Sequence, residues 1–266
     1  MRTNNKTSSK NNHTQTISVA MATFNEENNI VDCIQSLKKI TTDVVIVDGQ
    51  STDNTQDLAR GEGAKVIVVP NNPMFHVNKN LAIKNCKGDW VLLIDADERV
   101  SADLAAEIKR IINTKPQKNG FWINRSNWFL GGFLKKGGAY PDPVIRLFRN
   151  GKGILPEISV HEQVSIIGEV GHLKNNLIHL ADPNFERYLL RANRYTDLTA
   201  KAFREKNTGK GLFDVIFYLV IKPTITFLKL YVRHKGFRDG FRGFVWALFS
   251  AGHIFYAYSK YYSEKN

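Results

Sequence analysis

Several things are scarce in this chain, and each scarcity excludes something. It has two cysteines in 266 residues, Cys33 and Cys86, with no paired spacing and no Cys/His cluster at zinc-site spacing. A disulfide scaffold and a structural zinc module are therefore not expected, and both thiols read as buried and reduced. Residues 1–16 hold no apolar run, so a signal peptide is not expected there, and their polarity predicts a disordered lead-in. No internal repeat is visible. No Gly-x-Gly-x-x-Gly follows the first strand-like segment, which disfavours a Rossmann dehydrogenase.

What is present suits one large α/β domain with an appendage. Apolar residues make up 42% and charged residues 23%. The net charge of +12 is unevenly spread. Residues 17–200 are nearly neutral at +1, whereas residues 201–266 carry 12 basic and 4 acidic groups. A basic tail suits nucleic acid or an anionic membrane surface.

Ile17–Met21, Val44–Val47, Lys65–Val69 and Trp90–Ile94 read as buried strands. Helical spacing separates them: Ile30, Cys33, Ile34 and Leu37, then a helix opened by Ser51–Asp53, then residues 76–86. Ser101 caps a helix through Ile112. Such alternation predicts a mostly parallel sheet. After residue 115 the pattern changes. Gly120–Arg125 and Val144–Phe148 read as strands joined by the loop 129–142, whose four glycines predict mobility. Val160–Gln163 reads as extended, and helix resumes at Asn184. Three regions follow: a tail 1–16, a catalytic domain 17–183, and a helical, basic, aromatic extension 184–266.

In the extension, Leu212–Ile221 is apolar except for Asp214, and Lys222 and Pro223 interrupt it. Residues 241–258 carry Arg242 and His253, which argue against a comfortable membrane span. The mixture from Arg233 to Arg242 suits an interfacial segment on anionic lipid. Nucleic-acid binding would not need the long Leu/Val/Ile/Phe stretches. A buried helical hairpin with a solvated basic face is the plain structural alternative.

The chemistry concentrates at strand ends. Glu26 and Glu27, Asp48, and Asp95 with Asp97 fall at or beyond the carboxyl ends of successive strands, which a parallel sheet gathers on one rim. Carboxylates there suit a hard divalent cation that itself holds a diphosphate. Asp48 and Asp53 are equally good turn and cap residues, and Glu98 suits local neutralisation of Arg99.

The motifs Ala22–Asn28, Val47–Thr55 and Asp95–Glu98 resemble those of family 2 glycosyltransferases, over about residues 17–180. Gly137–Asp142, Arg146–Arg149 and Val160–Glu162, with the basic tail, resemble the bacterial subgroup that includes lipopolysaccharide inner-core β-glucosyltransferases. The resemblance implies a GT-A fold and an inverting, metal-dependent transfer of a hexose from a nucleotide sugar, usually UDP-linked, to a lipid-linked glycan. It implies that Thr23, Asn25 and Glu27 line the nucleoside pocket, that Asp48 meets the base, that Asp95 lies near the ribose, and that Asp97 binds Mg²⁺ or Mn²⁺. It also implies that His179 completes the metal or diphosphate site. An inverting transfer needs a base for the acceptor hydroxyl. Glu162 is the first candidate and Asp142 the second, with His161 orienting Glu162. Arg146 and Arg149 suit diphosphate or a phosphorylated acceptor. Trp128, Phe129 and Tyr140 suit sugar stacking or loop packing, and Gly137 and Gly138 suit hinges. The expected partners are a UDP-sugar, a lipid-linked glycan and an anionic membrane surface, with no nucleic acid, at the cytoplasmic face of the inner membrane. Another polysaccharide, a polyprenyl phosphate or a protein is the alternative acceptor. A sugar-nucleotide nucleotidyltransferase would be expected to carry a Gly-rich basic loop after strand one. A non-catalytic membrane-recruited module would not need both a metal pair and a base.

Overall fold

The computed structural model describes residues 14–158, 162–182 and 184–264. Four parallel strands open the fold: β1 (Ile17–Thr23), β2 (Val44–Asp48), β3 (Lys65–Val68) and β4 (Trp90–Leu93). Their order across the sheet is β3-β2-β1-β4. Helices α1 (Ile30–Leu37), α2 (Thr55–Gly61) and α3 (Phe75–Lys84) make the crossovers. β2 and β4 are buried at every residue because apolar clusters cover both faces of the sheet. Ile30, Cys33, Ile34 and Leu37 of α1 are buried in one of them. Each such side chain contributes about 1.5–3 kcal/mol. Both cysteines are buried free thiols, and burial pushes the Cys86 thiol up to about 12.

Beyond β4 the direction of pairing changes. β8 (Pro143–Arg149) runs antiparallel to β4, and β6 (Gly120–Phe129) antiparallel to β8. A short strand after the aspartates, β5 (Glu98–Val100), leads into α4 (Ala102–Asn113), whose first turn Ser101 caps through Leu104 N at 3.2 Å. After the short strands β7 (Gly132–Phe133), β9 (Gly153–Ile154), β10 (Ser165–Ile166) and β11 (Val170–His172) in the chain, β12 (Leu177–His179) is parallel to β6 and antiparallel to β5. That double pairing sets His179 opposite Glu98 on one side and Asn127 on the other.

The extension begins with α5 (Phe185–Glu205), capped by Asn184 through Arg187 N at 2.9 Å. An apolar helix, Leu212–Arg233, follows, made of α6 (Leu212–Ile216), α7 (Lys222–Leu228) and a wider turn after each; it is 22 residues long and none of its apolar window is buried. Pro223, which interrupts the apolar run in sequence, lies within this helix without ending it. Two π-helical turns, Phe217–Ile221 and Lys229–Arg233, flank the segment that holds the proline. A wider turn before proline gives its ring room and accommodates the missing N–H. A final helix, α8 (Gly240–Ser263), packs on α5.

The Gly-rich loop is pinned rather than free. Backbone N–H groups of Lys135 and Lys136 donate to Asp239 at 3.0 and 2.7 Å. Arg242 Nε donates to Leu130 O at 3.0 Å, and Trp246 Nε1 to Gly137 O at 3.2 Å. Phe129, Leu134 and Ala139 share one buried cluster with Tyr188 and Val245. Thus Gly137 and Gly138, both at positive φ, shape a clamped turn rather than a hinge in this conformation. Phe129 is core and Trp128 packs edge-on against Phe133.

Close approach at the clamp requires glycine at 243. A Cβ there would lie 1.9 Å from Gly236 O. Gly243→Ala is therefore expected to cost ~1–3 kcal/mol by overpacking, a fall in Tm of ~2–12 °C by calorimetry.

Candidate active site

A cleft of about 810 Å³ opens at the carboxyl ends of β1 and β4. Ala22, Thr23 and Leu93 form its floor, α3 contributes His76 and Lys79, and α5 contributes Arg191, Arg194 and Tyr195. Asp95, Asp97, Arg146, Glu162 and His179 all line it.

Asp95 and Asp97 have different surroundings. Asp95 is ion-paired with both Lys79 and Arg146. Burial pushes its carboxyl up, but the two cations outweigh burial and hold it well below its ordinary value. Asp97 meets neither cation; its Oδ2 lies 3.5 Å from His179 Nε2. Burial raises its carboxyl too, but the His179 contact and the charge of Arg146 together leave it below its ordinary value.

Beneath them lies Glu98, fully buried. Its carboxylate accepts from Arg146 Nη2 at 2.8 Å and from Asp95 N at 3.0 Å, with Arg125 Nη1 at 3.7 Å. The expected pairing with Arg99 is not found. Arg99 donates to the carbonyls of Ala96 and Asn29, because the turn after Asp97 sends the two side chains in different directions. Arg146 is thus first an internal counter-ion, and Arg125 and Lys79 add positive charge to the cleft.

His179 is oriented by a residue that sequence reasoning passed over. Asn127 Nδ2 donates to Ala139 O at 2.9 Å and to Asp142 at 3.0 Å. Its Oδ1 must therefore accept, and His179 Nδ1 lies 2.6 Å from it. With Nδ1 engaged by Asn127, Nε2 is the ring nitrogen turned to Asp97, and it can ligate a cation shared with that carboxylate. A carboxylate oxygen and an imidazole lone pair, converging in a cleft, fit a divalent cation. Among the described residues no closed cage of three His, Cys, Asp or Glu side chains forms. That suits an ion held by one or two protein ligands and completed by substrate phosphates.

The other expected residues separate into two groups. Glu162 lines the cleft, and its Oε2 accepts from Ile158 N at 3.3 Å. His161 lies outside the described residues. Asp142 does not line the cleft; it is held by Arg125 Nε at 2.9 Å and by Asn127, which makes it a poor base. Tyr140 also stands off the cleft, its hydroxyl bonded to Asn176 at 3.4 Å. Arg149 stacks 4.7 Å over Trp90 and donates to Pro116 O at 2.6 Å. Since Arg149 pairs with Trp90 at the start of β4, it sits at the opposite end of that strand from Asp95 and cannot reach a ligand there.

The nucleoside-side residues tie two loops together. Asp48 is fully buried and accepts from Thr23 Oγ1, Ser51 N, Ser51 Oγ and Gln56 Nε2 at 2.6–2.8 Å. Asn25, at positive φ, accepts from Thr52 N at 2.8 Å. Glu27 accepts from Asn54 N at 3.1 Å, while Asp53 accepts from Glu27 N and Thr55 N at 3.1 and 3.0 Å. Of this set, only Thr23 lines the cleft, and Glu26 does so in place of Glu27. Burial pushes the Glu26 carboxyl up, against its contacts with Asn29 and Arg187.

A half-parallel sheet with carboxylates at its strand ends defines the fold of the GT-A sugar transferases, and solved structures agree. The mannosyltransferase PcManGT from Pyrobaculum calidifontis, determined with GDP-Man and Mn²⁺, matches at TM-score 0.51 over 95% of this chain and 88% of that one, at 15% identity. Residues 1–349 of S. aureus TarS match at TM-score 0.50 over 93% and 88%, at 16% identity. In sequence, residues 18–129 match the model described as glycosyl transferase family 2. An uncharacterized glycosyltransferase of Rickettsia typhi is 33% identical over 86% of this chain and 80% of its own length. The lipopolysaccharide core biosynthesis glycosyltransferase LpsC of Rhizobium meliloti is 29% identical over 93% and 92%. The chain belongs to glycosyltransferase family 2.

Proposed function

We propose that this enzyme moves a hexose from a UDP-sugar to a hydroxyl of a lipid-linked glycan of lipopolysaccharide-core type, with inversion at the anomeric carbon. The convergence of Asp97, His179 and Glu162 in one cleft carries the reading. Similarity to a lipopolysaccharide core transferase supports the acceptor class.

In this scheme the acceptor oxygen attacks the anomeric carbon, the bond from that carbon to the diphosphate breaks, and Glu162 takes the hydroxyl proton. Asp97 and His179 would hold Mg²⁺ or Mn²⁺, which would supply charge stabilisation to the leaving diphosphate. The Mn²⁺ of the Pyrobaculum neighbour supports a divalent ion. Lys79, Arg125 and Arg146 offset part of the negative charge of the cleft's carboxylates. Asp48, Asn25 and Asp53 hold the two loops in shape for the nucleoside. The Leu212–Arg233 helix and the exposed Phe237 and Phe241 seat the enzyme on anionic lipid at the cytoplasmic face, where such an acceptor is presented.

Isothermal titration of UDP-, GDP- and dTDP-sugars in the presence of Mn²⁺ tests the donor; binding confined to GDP-sugars overturns the UDP assignment. Glu162→Gln is expected to lower kcat by ~10²–10⁴-fold with donor binding retained. Full transfer by that variant removes Glu162 as the base. Asn127→Leu is expected to weaken Mn²⁺ binding in the presence of UDP by ~10–100-fold. Unchanged Mn²⁺ affinity would show that the Nδ1 contact does not set the His179 ligand.

A further inference from the structure

A second cavity, of about 460 Å³, runs between α5 and α8. It shares Arg191 and Tyr195 with the catalytic cleft, so the two adjoin. We infer that this groove is a subsite for a sugar unit of the acceptor, at least one residue removed from the hydroxyl that reacts. The inference deepens the acceptor reading above and rests on it.

The lining favours a sugar over a lipid chain. Its large side chains are mainly aromatic, with Tyr195 on α5 facing Trp246, Phe249 and Tyr256 on α8. Aromatic faces suit the C–H faces of a pyranose, and Tyr and Trp keep a polar edge for its hydroxyls. Asn193 and Ser250 supply further polar groups among the apolar ones, the composition of a site that orients a polar ligand. An acyl chain would have no use for them.

The position of the groove on α8 points the same way. Phe241, Phe244, Leu248 and Phe255 form an exposed apolar stripe along that helix. At ~100° per residue the groove residues lie about 140° around the helix from that stripe. A bilayer in contact with the stripe leaves the groove facing away from lipid, towards the cleft. Between groove and cleft stands Arg194, exposed and with no hydrogen bond or ion pair among the described residues. Its fork suits a phosphate or carboxylate on the acceptor glycan.

Two variants test the assignment: Tyr256→Ala removes one aromatic wall, and Ser250→Trp fills the groove. Both are assayed in detergent, with a donor that binds, on two acceptors. One is a delipidated, truncated lipopolysaccharide core oligosaccharide; the other is the methyl glycoside of its non-reducing terminal sugar. Expected is a KM for the oligosaccharide raised at least tenfold in both variants, kcat within twofold, and an unchanged KM for the methyl glycoside. Equal shifts for both acceptors, or no shift for either in folded variants, overturn the subsite. No transfer by the unsubstituted enzyme to either acceptor overturns the acceptor reading itself, and the subsite with it.

Discussion

Asp97→Ala is expected to lower kcat/KM for sugar transfer by at least ~10³-fold, the scale of losing the main electrostatic support of a leaving group. The same change is expected to leave the fold intact. Among the described residues Asp97 has one polar side-chain partner, His179 at 3.5 Å, and neither cation of the neighbouring cluster pairs with it. A carboxylate with so little internal work is available to an external ligand. Transfer of radiolabelled sugar to an isolated lipid-glycan acceptor, with Tm measured alongside, checks both halves. Substantial transfer by a folded Asp97→Ala enzyme would remove the metal ligand and the mechanism built on it.

Glu98→Ala has the opposite profile, a large loss of stability. Glu98 is fully buried, and Asp95 and Glu98 together balance Lys79 and Arg146. Removing one carboxylate leaves an excess cation inside the protein and frees Asp95 N. Breaking a buried pair in this way costs ~3–5 kcal/mol, a fall in Tm of roughly 6–20 °C. Thermal unfolding of Glu98→Ala beside a Glu98→Leu/Arg146→Met double variant separates the causes. A double variant more stable than the single one identifies the stranded charge as the origin of the loss. Unchanged Tm in Glu98→Ala would show that water already screens the cluster.

Neighbouring acids in one four-residue motif thus have distinct tasks. Asp95 is neutralised by two cations, Asp97 faces the cleft, and Glu98 holds the arginine that neutralises Asp95. Spacing in the sequence marks all three as special but assigns none of these partners. Lys79 lies 16 positions before Asp95 and Arg146 lies 51 after it, and only the packing of α3 and β8 on β4 joins them.

The parallel half of the sheet, its strand-end carboxylates and the family are legible in the order of residues. Those follow from periodicity and from motifs a few residues long, which local chemistry writes directly into the chain. The sequence also marked Glu162 and His179 as worth following. Tertiary structure alone decided the rest. The pairing of β12 with both β5 and β6 put His179 between Asp97 and Asn127. Antiparallel register carried Arg149 to the wrong end of β4, and Arg125 with Asn127 occupied Asp142. Contacts from Asp239, Arg242 and Trp246 fixed a glycine-rich loop that looks mobile in isolation. Each of these depends on partners some 15 to 110 residues apart, and long-range partners are set by how layers pack, not by any pattern readable along one strand.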